Sequence, residues 1–236
     1  MLRNDYLIFD NVNTRDFYVG IYGDQLANPP ERDRECISIP GRDGDLIIDN
    51  GKYKNVTLNY KAYIVKDYVA NIKGLRNALN AKRGYKRLED TINVDEYRLA
   101  EVLPFEVDEK GVLKAGEFKL SFNCKPQRFL KSGEQAIVFT SNGSLYNEYM
   151  PSKPKIRAYG TGTVTINSVS VQVTTANGYT DIDCELQEAY KDTLATNCNA
   201  NIVLTNGVFP ELISGENTIS FSGFTQINII PNWWII

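Results

Sequence analysis

Apolar side chains recur at every second position through one short segment after another of this 236-residue chain. Over residues 55–64, Val56, Leu58, Tyr60, Ala62 and Ile64 alternate with Thr57, Asn59 and Lys61. Successive side chains of an extended strand point to opposite faces, so the pattern requires a sheet packed on one side and polar on the other. The same alternation returns at 117–124, where Phe118, Leu120, Phe122 and Cys124 oppose Lys119, Ser121 and Asn123. Further strands are predicted at 6–9, 17–21, 36–39 and 97–102.

One stretch departs from this period. Val69, Ile72, Leu75 and Leu79, with Arg76 beside them, recur at three- and four-residue spacing. That is the apolar stripe of a helix, predicted over 68–83. Asp67 stands at the N-cap position, where a carboxylate can accept the first unpaired backbone N–H groups. Lys82 and Arg83 suit the negative end of the helix dipole, and Gly84 suits a left-handed C-cap.

Between these elements lie turn signals. Asn28-Pro29-Pro30-Glu31-Arg32-Asp33-Arg34-Glu35 reads as an exposed loop, either simply solvated or setting register against a neighbouring subunit. Pro40-Gly41-Arg42-Asp43-Gly44-Asp45 supplies glycines for tight turns, and Asp108-Glu109-Lys110-Gly111 makes a polar turn. Pro126 ends the strand at 117–124, because proline cannot donate to a ladder. Composition shifts after about Leu130, and the stretch from Asn142-Gly143 to Pro154 is rich in Asn, Ser, Tyr and Pro. Short strands follow at 164–166, 169–173, 181–186, 201–204, 217–221 and 226–230, with turns at regular spacing, as in a sandwich. The fold class is mainly β. A boundary between Leu130 and Gly143 divides the chain into residues 1–133 and 134–236.

Several classes of function fall away. The chain contains no histidine. Ser-His-Asp and Cys-His catalysis both need an imidazole, and most zinc sites need histidine or clustered cysteines. Cys36, Cys124, Cys184 and Cys198 form no CxxC pair; they read as small buried hydrophobes, with a Cys184–Cys198 bridge as the alternative. The net charge of -3, from 26 basic and 29 acidic residues, offers no basic excess for nucleic acid. The N-terminus lacks the apolar core of a secretory leader, so synthesis in the cytoplasm is expected. No apolar run approaches the roughly 20 residues that span a bilayer.

Asp181, Asp183 and Glu185 alternate on one predicted strand and could pair for glycoside hydrolysis. They read instead as a solvated outer face opposite Ile182, Cys184 and Leu186. Asp43-Gly44-Asp45 and Asp49-Asn50-Gly51 lack the spacing of a calcium loop and read as turns. Trp233 and Trp234 would point to opposite faces of a strand, which places one in the core and the other at an interface rather than both on a sugar. Gly160-Thr161-Gly162 has no phosphate-loop ending and reads as a turn. No catalytic, cofactor-binding or metal-binding residue is assigned, and no enzyme activity is expected.

Taken in order, several segments resemble the distal tail proteins of long-tailed bacteriophages, especially siphoviruses of Gram-positive hosts. They are Ile39-Pro40-Gly41-Arg42-Asp43-Gly44-Asp45-Leu46, the strand Val56-Thr57-Leu58-Asn59-Tyr60, the helix from Asp67 to Gly84, and Phe122-Asn123-Cys124-Lys125-Pro126-Gln127-Arg128. Pro151-Ser152-Lys153-Pro154-Lys155-Ile156, Gly160-Thr161-Gly162-Thr163-Val164-Thr165-Ile166-Asn167, Phe209-Pro210, Gly215-Glu216-Asn217-Thr218-Ile219 and Pro231-Asn232-Trp233-Trp234 follow. No single segment is diagnostic; their order and spacing across almost the whole chain carry the resemblance. It implies an N-terminal β-sandwich or split barrel with one α-helix, forming a homohexameric ring, and a C-terminal galectin-like β-sandwich. The ring would join the tail tube to the tail tip and serve as a hub for host-adsorption proteins. Its partners would be further copies of itself, the tube protein, the tail-tip protein, the tape-measure protein and receptor-binding proteins, at the distal end of the virion's tail. A carbohydrate-binding module for cell-wall polysaccharide, acting through the C-terminal sandwich, is the alternative.

Overall fold

The computed structural model describes residues 5–22, 29–105 and 116–236. Asn28 and the predicted turn at 108–111 lie outside the described residues. Among the described residues the fold is mainly β with one α-helix. The chain divides into two compact units: 1–128 with Ile236, and 129–235.

The first unit contains β1 (Leu7–Phe9), β2 (Val12–Asn13), β3 (Val19–Tyr22), β4 (Arg32–Ile37), β5 (Leu46–Tyr53) and β6 (Val56–Ile64), then α1 (Tyr68–Asn80). After the helix come β7 (Lys86–Asp90), β8 (Glu96–Val102) and β9 (Gly116–Cys124). Seven strands form an antiparallel sheet in the order β2-β1-β7-β8-β9-β6-β3. The two best alternating segments pair along their length, from Val56 opposite Cys124 to Ile64 opposite Gly116. Just before β1, the Asp5 carbonyl accepts from Ile21 N–H in β3 at 2.8 Å. This bridge draws the two ends of the sheet together, so the sheet curls as a split barrel does. Leu58, Tyr60, Ala62 and Ile64 of β6 and Phe118, Leu120, Phe122 and Cys124 of β9 line its buried face, as the alternation requires. Ile72, Leu75 and Leu79 of α1 join the same core.

Local details differ from expectation. Phe17 closes a 3-10 turn, Thr14–Phe17, and Tyr18 follows with φ +55°, so the strand begins at Val19. Asp67 has left-handed dihedrals and its side chain makes no capping bond; in that geometry the carboxylate does not face the first-turn N–H groups. The helix ends at Asn80, short of Lys82, which pairs with Asp10 at 3.0 Å. Gly84 has φ +68° but lies beyond the helix. Val69 is exposed, because the buried stripe begins at Ile72.

The largest correction concerns the segment read as an exposed loop at 28–35. Residues 32–35 belong to β4, which pairs with β5 in a separate two-stranded ribbon. The segment predicted as a strand at 36–39 is only the end of β4, at Cys36 and Ile37. Asp49-Asn50-Gly51 is not a turn between elements but an irregularity inside β5: Gly51 has φ +70° and its N–H donates to Asp49 Oδ1 at 2.9 Å. An alternating-charge strand exposed on both faces carries no hydrophobic period, so nothing in the pattern marks it as extended.

The second unit begins within β10 (Arg128–Leu130) and contains β11 (Ile137–Phe139), β12 (Gly143–Asn147), β13 (Lys155–Ile166), β14 (Val169–Val173) and β15 (Tyr179–Asp183). β16 (Glu188–Lys191), β17 (Thr193–Asn197), β18 (Ile202–Leu204), β19 (Gly215–Ile230) and β20 (Trp234–Ile235) complete it. The strands predicted at 217–221 and 226–230 are one strand, β19. β13 and β19 pair along their length, with register shifts at Tyr159/Gly160 and between Gly160 and Thr163. On one side of this corner β13 pairs with β15, and β16 and β17 continue that sheet. On the other side β13 pairs with β14, which pairs with β18. Two strands therefore run through both layers and fold one sheet onto itself. Ile156, Ala158, Val164, Ile166, Val171, Ile182, Ile227 and Ile229 meet in the resulting core.

Candidate interaction surfaces

The β4–β5 ribbon is exposed along almost its whole length. Its base is held by ion pairs: Arg32 and Arg34 reach Asp49 at 3.3 and 3.6 Å, Lys52 reaches Asp33 at 3.3 Å, and Lys54 reaches Glu31 at 3.5 Å. The Gly51 N–H, with Arg32 and Arg34 behind it, holds the Asp49 carboxyl below the ordinary carboxylate range. The distal end is different in kind. Cys36 lies opposite Ile47, Glu35 opposite Ile48, and Ile37 opposite Leu46. Cys36 and Ile47 share one face; Ile37, Leu46 and Ile48 share the other. The four large side chains are 41 to 57% exposed, Ile47 most of all. A two-stranded ribbon is at best marginally stable in water, and apolar groups on both faces have nothing to pack against within the ribbon itself. An exposed apolar end of this kind is a candidate interaction surface. The sequence marks it only by Leu46-Ile47-Ile48, a short apolar run that reads equally well as core.

A second exposed feature of the first unit is a recess of about 220 Å³, lined by residues of the β3–β6 region that include Tyr18, Tyr63 and Val65. Val65 N–H donates to the Tyr18 carbonyl at 3.2 Å, which sets these two exposed side chains next to each other.

In the second unit, the three acidic residues predicted on one solvated face are not equivalent. Asp181 is 0% exposed. Its carboxylate accepts from Arg157 Nε at 2.7 Å and Nη2 at 2.8 Å, and this bond raises the arginine's pKa. Arg157 also lies 4.3 Å over the Tyr179 ring, with Lys191 5.2 Å from the same ring. Long side chains from the neighbouring strand thus cover a residue that strand parity directs outward. Asp183 caps the following turn by accepting from the N–H groups of Glu185 and Leu186, so Glu185 is off the strand. Cys184 is buried as expected, whereas Leu186, placed with it on the inner face, is 52% exposed because the strand has already ended. The cluster is a packed ion pair with aromatic cover, not two carboxylates flanking a cleft.

Trp233 joins the second core. Trp234 is partly exposed and donates from Nε1 to the Pro151 carbonyl at 2.8 Å. Their side chains part, one into the core and the other toward the surface, although only Trp234 belongs to a strand. Cys124 and Cys184 are buried; burial pushes the Cys124 thiol up to about 11 and raises Cys184 further. Cys36 is exposed, and no cysteine is in a disulfide. Among the described residues, no group of three or more Asp, Glu or Cys side chains could hold a metal ion, and no helix is long and apolar enough to cross a membrane. Asp43 and Asp45 are exposed.

No protein-family model matches the chain. No curated protein matches it by sequence. Solved structures do match it in fold. The Dit protein of phage SPP1, described as a paradigm of the hub adsorption apparatus in phages infecting Gram-positive bacteria, superposes with a TM-score of 0.75 over 95% of this chain and 97% of its own, at 13% identity. A chain of the phage P2 baseplate in its activated conformation with calcium gives a TM-score of 0.56 at 10% identity, again over 95% and 97%. The same baseplate with strontium gives 0.55 at 10% identity. The chain has the fold of these tail and baseplate proteins, through both of its units.

Proposed function

We propose that this protein is a structural hub at the distal end of a phage tail, forming a closed ring of six copies between the tail tube and the tip. The observation that carries this reading is the likeness in fold to the SPP1 Dit protein, which spans 95% of the chain and takes in both units rather than one common domain. Two domains, residues 1–133 and 134–236, divide the work: the first forms the ring and the second is a galectin-like sandwich attached to it. The exposed apolar ribbon supports the assembly role, because a ring needs a large surface that stays uncovered until copies meet. Tube protein, tail-tip protein, tape-measure protein and receptor-binding proteins are the partners, and the finished ring resides in the virion. The role is one of assembly, not catalysis.

The test is the assembly mass of purified protein by native mass spectrometry, with negative-stain imaging of the same sample. A species of six times the chain mass that images as an open ring is the expected result. A protein that stays monomeric at high concentration and also with its tube protein present would rule the reading out.

A further inference from the structure

Asparagine followed by glycine occurs at four places in the chain: Asn50-Gly51, Asn142-Gly143, Asn177-Gly178 and Asn206-Gly207. Glycine has no Cβ to keep its backbone nitrogen from the preceding side chain, so these pairs are where an asparagine amide is most easily lost without an enzyme. All four asparagines are exposed. They differ in how the backbone nitrogen and the side chain are held.

Three are restrained. Gly51 N–H donates to Asp49 Oδ1 at 2.9 Å, and removing its proton would set two negative charges face to face. Asn142 Oδ1 accepts from Phe221 N–H at 2.8 Å, so this side chain cannot turn back on Gly143 without losing that bond. Asn206 lies in a turn closed by Val208 N–H on the Thr205 carbonyl at 3.2 Å, and its ψ of 20° puts Gly207 N on the far side of the Cα–C bond from Cβ.

Asn177 has none of these restraints. Its side chain and the Gly178 N–H make no hydrogen bond among the described residues, and no backbone bond closes a turn across it. Its carbonyl accepts from Lys191 Nζ at 2.6 Å. That carbonyl belongs to the peptide whose nitrogen is Gly178's. A cation donating to the oxygen stabilises the anion left when the nitrogen loses its proton. The carboxylates of the same cluster are engaged elsewhere, Asp181 by Arg157 and Asp192 by the Tyr179 hydroxyl.

We propose that Asn177 is a site of spontaneous deamidation, promoted by Lys191. Gly178 N gives its proton to solvent and attacks Asn177 Cγ. The N–Cγ bond forms, the Cγ–Nδ2 bond breaks, and ammonia leaves after Nδ2 takes a proton from water. Water then opens the cyclic imide, at Cγ to give aspartate or at the main-chain carbonyl to give isoaspartate. Isoaspartate lengthens the backbone by a methylene just before β15, where Gly160 N–H donates to the Gly178 carbonyl at 3.0 Å. Either product adds a negative charge beside Lys191.

The full chain, aged at mildly alkaline pH and sampled by peptide mapping with mass spectrometry, reads all four sites at once. The amide-to-acid mass shift should appear at Asn177 at least several-fold faster than at the other three. In urea, where only the shared Asn-Gly chemistry remains, that lead should shrink toward parity. Lys191→Met should slow Asn177 several-fold relative to the other three sites, and Lys191→Arg, which keeps a cationic donor, should restore most of the rate. Because each rate is read as a ratio to the other sites, a general loosening of the fold cancels. An Asn177 that reacts no faster than the others in the folded chain would overturn the site. A Lys191→Met variant with an unaltered ratio would overturn the part given to Lys191.

Discussion

Asp181 shows how far a single side chain can depart from its place in a pattern. It stands where alternation directs a residue outward, yet it is 0% exposed beneath Arg157 and its aromatic neighbours. A buried carboxylate is tolerable when its partner supplies two short bonds, and removing that partner leaves the charge stranded. Replacing Arg157 with methionine, which keeps much of the packing, should therefore cost about 2–3 kcal/mol, the low end for a buried pair because the arginine retains some solvent. Urea unfolding at neutral pH measures it. A loss below roughly 0.5 kcal/mol, the usual scatter for surface substitutions, would mean that the pair is only a surface contact.

At the scale of elements, the corner in β13 and β19 decides the architecture of the second unit. Gly160-Thr161-Gly162 reads as a turn in sequence, but the chain does not reverse there; it passes from one layer of the sandwich to the other. The two strands approach so closely that a Cβ on Gly162 would meet the Ser222 carbonyl oxygen at 2.0 Å, and one on Gly223 would meet the Thr161 carbonyl oxygen at 2.6 Å. Both obstacles are backbone, which cannot swing aside as a side chain does. Gly162→Ala should destabilise the unit by about 2 kcal/mol or more, in the upper part of the range for overpacking. Chemical denaturation followed by the fluorescence of Trp233 and Trp234 reports it, and an unchanged midpoint would show that the strands part without cost. The ribbon is the opposite case: its residues carry little of the monomer's packing, so their value lies in what they meet.

For the whole molecule, the absence of histidine becomes a statement about conditions. Histidine is the side chain whose ordinary pKa lies between pH 5 and 8, and interfaces switched in that range commonly depend on it. With none in the chain, assembly should be the same at pH 5.5 and pH 8. Native mass spectra, or light scattering, at the two values should give one mass. A ring present at one pH and absent at the other would show that carboxylates with raised pKa values sit in the interface.

The sequence alone determined which residues face the core wherever one side of an element is packed and the other wet. Val56 to Ile64, Phe118 to Cys124, and the Ile72–Leu75–Leu79 stripe are legible because burial of one face imposes a period on the chain. The same physics leaves the rest silent. β4 and β5 are exposed on both faces, so their extended conformation comes from pairing with each other, with no core to impose alternation. The position of Asp181 depends on an arginine 24 residues away, and the continuity of β19 depends on β13 bending beside it. The candidate interaction surfaces of the first unit belong to this second group. Tyr18 and Val65 become neighbours through the pairing of β3 with β6, and the apolar end of the ribbon is recognisable as unpacked only once the core has been built without it.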